Sequence, residues 1–242
     1  MIHSSMRARI RAGITILLTT LLAFLSLPAA RSQAAEPDAA PAAVDTTPAT
    51  VTADAMPTWQ INGVVWSQAI IGDVVYVTGS FTKARPPGVA VGGTGEVTAN
   101  NIFAYRLSTG ARVTTFAANL NAQGLVIRAS ADGSRLWVGG DFTTVNGTAR
   151  GHLAALNPTD GSLFTGAGFT APNVGGQVRG LGITPATIYV GGNFTSANGV
   201  ARTRLAAFST STGTMSSWAP AAAGGYVWAM TMTPDQTRVI PA

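Results

Sequence analysis

Cysteine is absent from the 242 residues. That excludes disulfides, thiolate metal sites and a lipid-modified N-terminal cysteine. Charge is scarce as well: Asp, Glu, Lys and Arg make up 10% of the chain, too little to coat long solvated helices. Histidine occurs twice, as His3 and His152. No stretch sustains an apolar period of 3.6 residues, so no amphipathic helix is expected. The sequence has no Asp-x-Asp-x-Asp-Gly calcium loop. Its glycine pairs lack the lysine and the following helix that a phosphate cradle needs. We expect no cofactor and no metal site.

What is present begins with a secretion signal. Arg7, Arg9 and Arg11 precede an apolar run from Ile14 to Leu27. Ser32-Gln33-Ala34 then offers the small residues a signal peptidase reads, and cleavage is expected after Ala34. An uncleaved membrane anchor is the alternative, but the run is shorter than the roughly 18 residues of a spanning helix. Cleavage removes four of the 15 basic residues and none of the 10 acids. The near-neutral remainder gives no electrostatic case for nucleic acid. Residues 35–57 are mostly Ala, Pro, Thr and Asp and read as a flexible leader, or less simply as a sugar-bearing stalk.

Residues 58–242 read as a repeat domain, and from about Val64 onward the chain repeats itself. Leu136-Trp137-Val138-Gly139-Gly140-Asp141-Phe142-Thr143 returns as Ile188-Tyr189-Val190-Gly191-Gly192-Asn193-Phe194-Thr195. An earlier copy is Val75-Tyr76-Val77-Thr78-Gly79-Ser80-Phe81-Thr82, in which Thr78 replaces the first glycine. Asn146-Gly147 and Asn198-Gly199 follow as turn dipeptides. Leu153-Ala154-Ala155-Leu156 then matches Leu205-Ala206-Ala207-Phe208. A Pro- and Gly-rich stretch from Pro86 to Gly95 lengthens the first copy and reads as a loop. Four short strands per copy are expected, at about 125–130, 135–142, 151–157 and 162–165 in the second. In the third they are expected at 177–183, 187–194, 203–209 and 214–218.

A repeat near 50 residues with four antiparallel strands is the pattern of a β-propeller blade. The expected fold is therefore all-β: three complete blades, about 64–117, 125–170 and 177–220, and a truncated one at 226–242. The quoted strands and turns resemble the delta-60 type repeats of secreted bacterial β-propellers and, more loosely, kelch repeats. The resemblance implies a propeller fold and an extracellular setting. It implies no catalytic residue, because these repeats share no chemistry. Three and a half blades do not close a ring, so the chain reads as part of a longer protein; self-association completing the ring is the competing expectation.

Few residues offer chemistry. His152 stands where other copies have Asn101 and Arg204, at the start of a strand, and reads as a surface strand residue rather than a metal ligand. Asp132, Asp160 and Asp235 fall in turns. Asp141 shares its place with Ser80 and Asn193, which suggests a cap on a backbone group between strands; a ligand or ion contact is the alternative. The sequons at Asn146 and Asn193 read as incidental. Trp66, Arg179 and Trp228 occupy one repeat position, with Ile127 in the second copy. Packing between blades is the plainer account of them, and lining a central channel, stacking a sugar or aromatic ligand, is the functional one. We expect a non-enzymatic binding or adhesion module acting on extracellular polysaccharide or protein. A polysaccharide-degrading enzyme scaffold and a spacer domain are the alternatives.

Overall fold

The computed structural model describes residues 57–242. The expected signal segment and the leader up to residue 56 lie outside the described residues. Every regular element among the described residues is a β-strand, and every strand pair is antiparallel. No helix there is long and apolar enough to cross a membrane.

The first three blades share one plan. In blade 1, Val64–Ile71 pairs with Val74–Ser80, which pairs with Ile102–Arg106. Blade 2 repeats this with Gly124–Ala129, Leu136–Gly140 and Leu153–Leu156. Blade 3 repeats it with Val174–Ile183, Thr187–Ala197 and Leu205–Ser209. A hairpin of Met230–Met232 and Val239–Pro241 forms the start of blade 4. The first strands of successive blades lie against one another.

The expected fourth strands are not formed. Each shrinks to one bridge: Tyr105 to Arg112, Leu156 to Leu163 and Phe208 to Met215. The blades are three-stranded with a vestigial outer edge. Gly166 and Gly168 follow Leu163 closely, and Pro220 follows Met215, so little chain there can extend a ladder. The Pro86–Gly95 stretch is a loop, as expected, and its flanks Lys83–Arg85 and Val97–Thr98 form a small sheet with Gln60–Ile61. The Asn146-Gly147 and Asn198-Gly199 turns have positive φ at both residues, the geometry that selects this dipeptide.

Burial on both faces of a blade explains the unbroken apolar runs. Leu136 and Val138 point toward blade 1, joining Tyr76, Ile102 and Phe142 in one core. Trp137, between them, points the other way and joins Val178, Ile188, Phe194 and Phe208 of blade 3. A strand alternates its faces, and here both faces are core. Each fully buried large side chain contributes roughly 1.5–3 kcal/mol, so most of the stability lies in the joints between blades.

The glycine pairs set those joints. A Cβ on Gly79, Gly140 or Gly192 would overlap the carbonyl oxygen of Val64, Gln123 or Gln177 on the facing first strand. The preceding position faces the next blade. Gly139 leaves room for Val178, and a Cβ on Gly191 would come within 2.6 Å of Val227 Cγ1. In the first joint the sizes are reversed: Thr78 fills the glycine's place, and Gly124 stands where the later blades have valine. The departure at Thr78 is thus matched by a compensating change on the neighbouring blade.

Candidate functional site

Each first strand carries a β-bulge near its start, where two residues oppose one. In blade 1, Val65 pairs with Gly79 and Ser67 with Thr78, leaving Trp66 as the extra residue. In blade 3, Val178 pairs with Gly192 and Gly180 with Gly191, leaving Arg179. In blade 4 the amides of Trp228 and Ala229 both donate to the Ala242 carbonyl, at 2.7 and 3.3 Å. A bulge re-aims its extra side chain. This local kink, rather than the strand itself, presents Trp66, Arg179 and Trp228.

Their surroundings divide between the two accounts: Arg179 is half-buried and stacks on Trp228 of the next blade, while the two indoles stand largely in solvent. Trp66 is 54% exposed and Trp228 59%, whereas residues between blades are almost fully buried. Ile127 does not belong to the set. It is wholly buried, and the bulge residue of blade 2 is Leu125. The cause is a longer hairpin turn. In blade 2 it runs from Ser130 to Arg135, whereas blade 1 turns in Gly72-Asp73. The longer turn shifts the first strand of blade 2 by two residues relative to a gapless alignment.

A chain of side-chain contacts joins the bulge residues across the blades. Trp66 Nε1 donates to Gln123 Oε1 at 3.0 Å. Gln123 Nε2 donates to Asp141 Oδ2 at 2.7 Å. Gln177 Nε2 donates to Asp141 Oδ1, and Arg179 Nε donates to Gln177 Oε1. The Arg179 guanidinium lies 4.2 Å from the centroid of the Trp228 ring, a cation–π contact. Trp228 meets the half-exposed Tyr226 edge-on, centroids 6.0 Å apart. Trp66, Gln123, Asp141, Gln177, Arg179, Trp228 and Tyr226 form a continuous belt from blade 1 to blade 4.

The expected backbone cap at Asp141 is not made. Its two carboxylate oxygens accept from two carboxamides, Gln123 of its own blade and Gln177 of the next. Gln123 and Gln177, absent from the sequence-based candidates, hold the centre of the belt. Each lies two residues before a bulge residue, so they are structural equivalents that the longer turn conceals.

The remaining candidates stand apart. His152 is not a strand residue. It precedes the Leu153–Leu156 strand with φ 59°, and Asn101 and Arg204 hold the same conformation, each at 65°. Among the described residues no three His, Asp or Glu side chains gather as a metal site. A cleft of about 430 Å³ lies by the Ser130–Arg135 turn, between blades 2 and 3. There Arg135 stacks over Phe164 at 3.8 Å and donates to the Thr210 carbonyl.

The turn aspartates are titrating elements of the fold rather than of the belt. Hydrogen bonds from Ser130 and Ser134 lower the Asp132 pKa to about 2. Ser108, Ser162 and Thr233 lead the hydrogen bonds that lower Asp73, Asp160 and Asp235. A carboxylate depressed in the folded state stabilises that state above its unfolded pKa, near 4, and the gain is lost as pH falls through the folded value. Thermal midpoints are therefore expected to fall between about pH 4 and pH 2. Asp132→Asn should flatten part of that decline, and an unchanged slope would show that this turn contributes nothing to it.

One family-model match agrees with the architecture. Residues 132–163, within blade 2, match the family model described as "Domain of unknown function (DUF5122) beta-propeller". No curated protein matches the chain in sequence. Among solved structures, the computationally designed Ika4 protein is similar over 75% of this chain and 86% of its own, at 9% identity and TM-score 0.49. The Pan2 WD40 domain of Neurospora crassa is similar over 74% of this chain and 46% of its own, at 12% identity and TM-score 0.46.

Proposed function

Taking the β-propeller repeat fold as given, we propose that this chain is a secreted binding module of the delta-60 repeat type. Its belt holds an extracellular polysaccharide or protein. The observation that carries this reading is the pair Trp66 and Trp228, which occupy equivalent bulges and are both more than half exposed. Leaving two large indoles in water forgoes their burial energy, so their presentation calls for a partner. The belt's one carboxylate, Asp141, is engaged by two amides, which suits positioning and recognition better than proton transfer. Secretion is supported by the Arg-rich start, the apolar run and the Ser32-Gln33-Ala34 site.

In a producing bacterium, the chain recovered from the medium is expected to begin at Ala35. On a glycan array, the Trp66→Ala/Trp228→Ala variant should bind about tenfold more weakly or worse. Its thermal midpoint should stay within about 2 °C of the parent, because exposed side chains add little stability. Undiminished binding with a lowered midpoint would refute the belt as the binding surface.

A further inference from the structure

We infer that the belt takes an acidic polysaccharide, seating a sugar carboxylate on Arg179 with sugar rings against the flanking indoles. This deepens the proposed function and rests on the belt being a binding surface. The first argument concerns the cation. Arg179 is held at two points, by its Nε bond to Gln177 and by its stacking on Trp228. Gln177 is itself anchored on Asp141. Yet the two ion pairs among the described residues are Lys83–Glu96 and Arg106–Asp73. Arg179 is in neither, and its terminal nitrogens make no hydrogen bond among the described residues. A guanidinium so oriented, with its fork unused, suits the planar, bidentate geometry of a carboxylate.

The second argument concerns Asp141, the nearest charge of opposite sign in the belt. Both of its oxygens accept from carboxamides, and Gln177 stands between it and Arg179. The aspartate orients the cation's support without neutralising the cation. The third argument concerns the flanks. Exposed aromatic rings stand at both ends of the belt, Trp66 at one and Trp228 with Tyr226 at the other, and the flat apolar faces that Arg179 leaves uncovered match the C–H faces of pyranose rings. A ligand that is both anionic and rich in flat ring faces satisfies the whole belt. An acidic peptide supplies the charge without the rings.

The test uses the full chain with polygalacturonate and its fully methyl-esterified form, which share a backbone and differ in charge. The parent protein should bind polygalacturonate about tenfold more tightly than the ester, and less tightly as salt rises. Arg179→Gln should abolish that preference, and Arg179→Lys should retain part of it, since lysine keeps the charge and loses the fork. Trp66→Ala should weaken both probes alike. Equal binding of acid and ester, or a preference that survives Arg179→Gln, overturns the proposal. So does poly-glutamate competing as well as polygalacturonate. Binding of neutral glycans alone would overturn the acidic specificity and leave the binding function standing. If no glycan binds and the tryptophan variants change nothing, both fall together.

Discussion

Gly192→Ala is expected to destabilise the protein by about 3 kcal/mol or more, read as a lowered midpoint of urea unfolding. A Cβ there would overlap the Gln177 carbonyl oxygen and stand 3.0 Å from the Val178 Cα. These are backbone atoms of a paired strand, and they cannot rotate aside as a side chain can. Relief requires the Val174–Ile183 strand to move away from its partner, breaking ladder bonds on both sides of the Arg179 bulge. That loss is a large share of the roughly 5–15 kcal/mol that holds a domain folded. Gly224→Ala is the matched control, with nothing within 4 Å and no unusual φ, and it should be neutral. Equal midpoints for the two variants would contradict the close approach. A folded remnant of Gly192→Ala should also bind ligand poorly, because Gln177 would be displaced from Asp141.

The second large effect belongs to the first joint between blades. Gly124→Val alone places a branched side chain where Thr78 Oγ1 already sits, and overpacking of this kind costs about 1–3 kcal/mol. Thr78→Gly alone removes the Oγ1 hydrogen bond to the Asn101 carbonyl, made at 2.7 Å, and opens a void in a fully buried place. Together the two changes recreate the glycine–valine arrangement of the second and third joints. The double variant should be more stable than the sum of the single losses predicts, by at least about 1 kcal/mol. Strict additivity in a double-mutant cycle would show that the two positions do not share a site.

The repeat was legible because its signals are local and strong. Asn-Gly marks its turns, and the unbroken apolar run ending in Gly-Gly marks a strand buried on both faces. The fourth strands were not legible as absent: Phe164 and Met215 look like strand residues, but only one bridge forms at each edge. The belt was half visible. Trp66, Arg179 and Trp228 share a repeat position that survives a gapless alignment. Ile127 entered that set in error, because the Ser130–Arg135 turn adds residues after the first strand and nothing before it. The same shift hid the equivalence of Gln123 and Gln177. Asp141 stands out in the sequence, but its partners lie 18 and 36 residues away along the chain, and no local pattern encodes that meeting. The bulges themselves depend on which residue the opposing strand leaves unpaired, which the periodicity of one strand does not reveal.

The reversed joint has a consequence for how such an array can lengthen over generations. A copy of blade 3 inserted after itself would set Gly191 against a second Val178, reproducing a junction the protein already uses. The same copy inserted after blade 1 would drive Val178 into Thr78. Duplication is therefore open in the later part of the array and blocked at its first junction. A copy of a later blade is thus accommodated behind blade 2 and excluded from the junction that follows the Pro86–Gly95 blade.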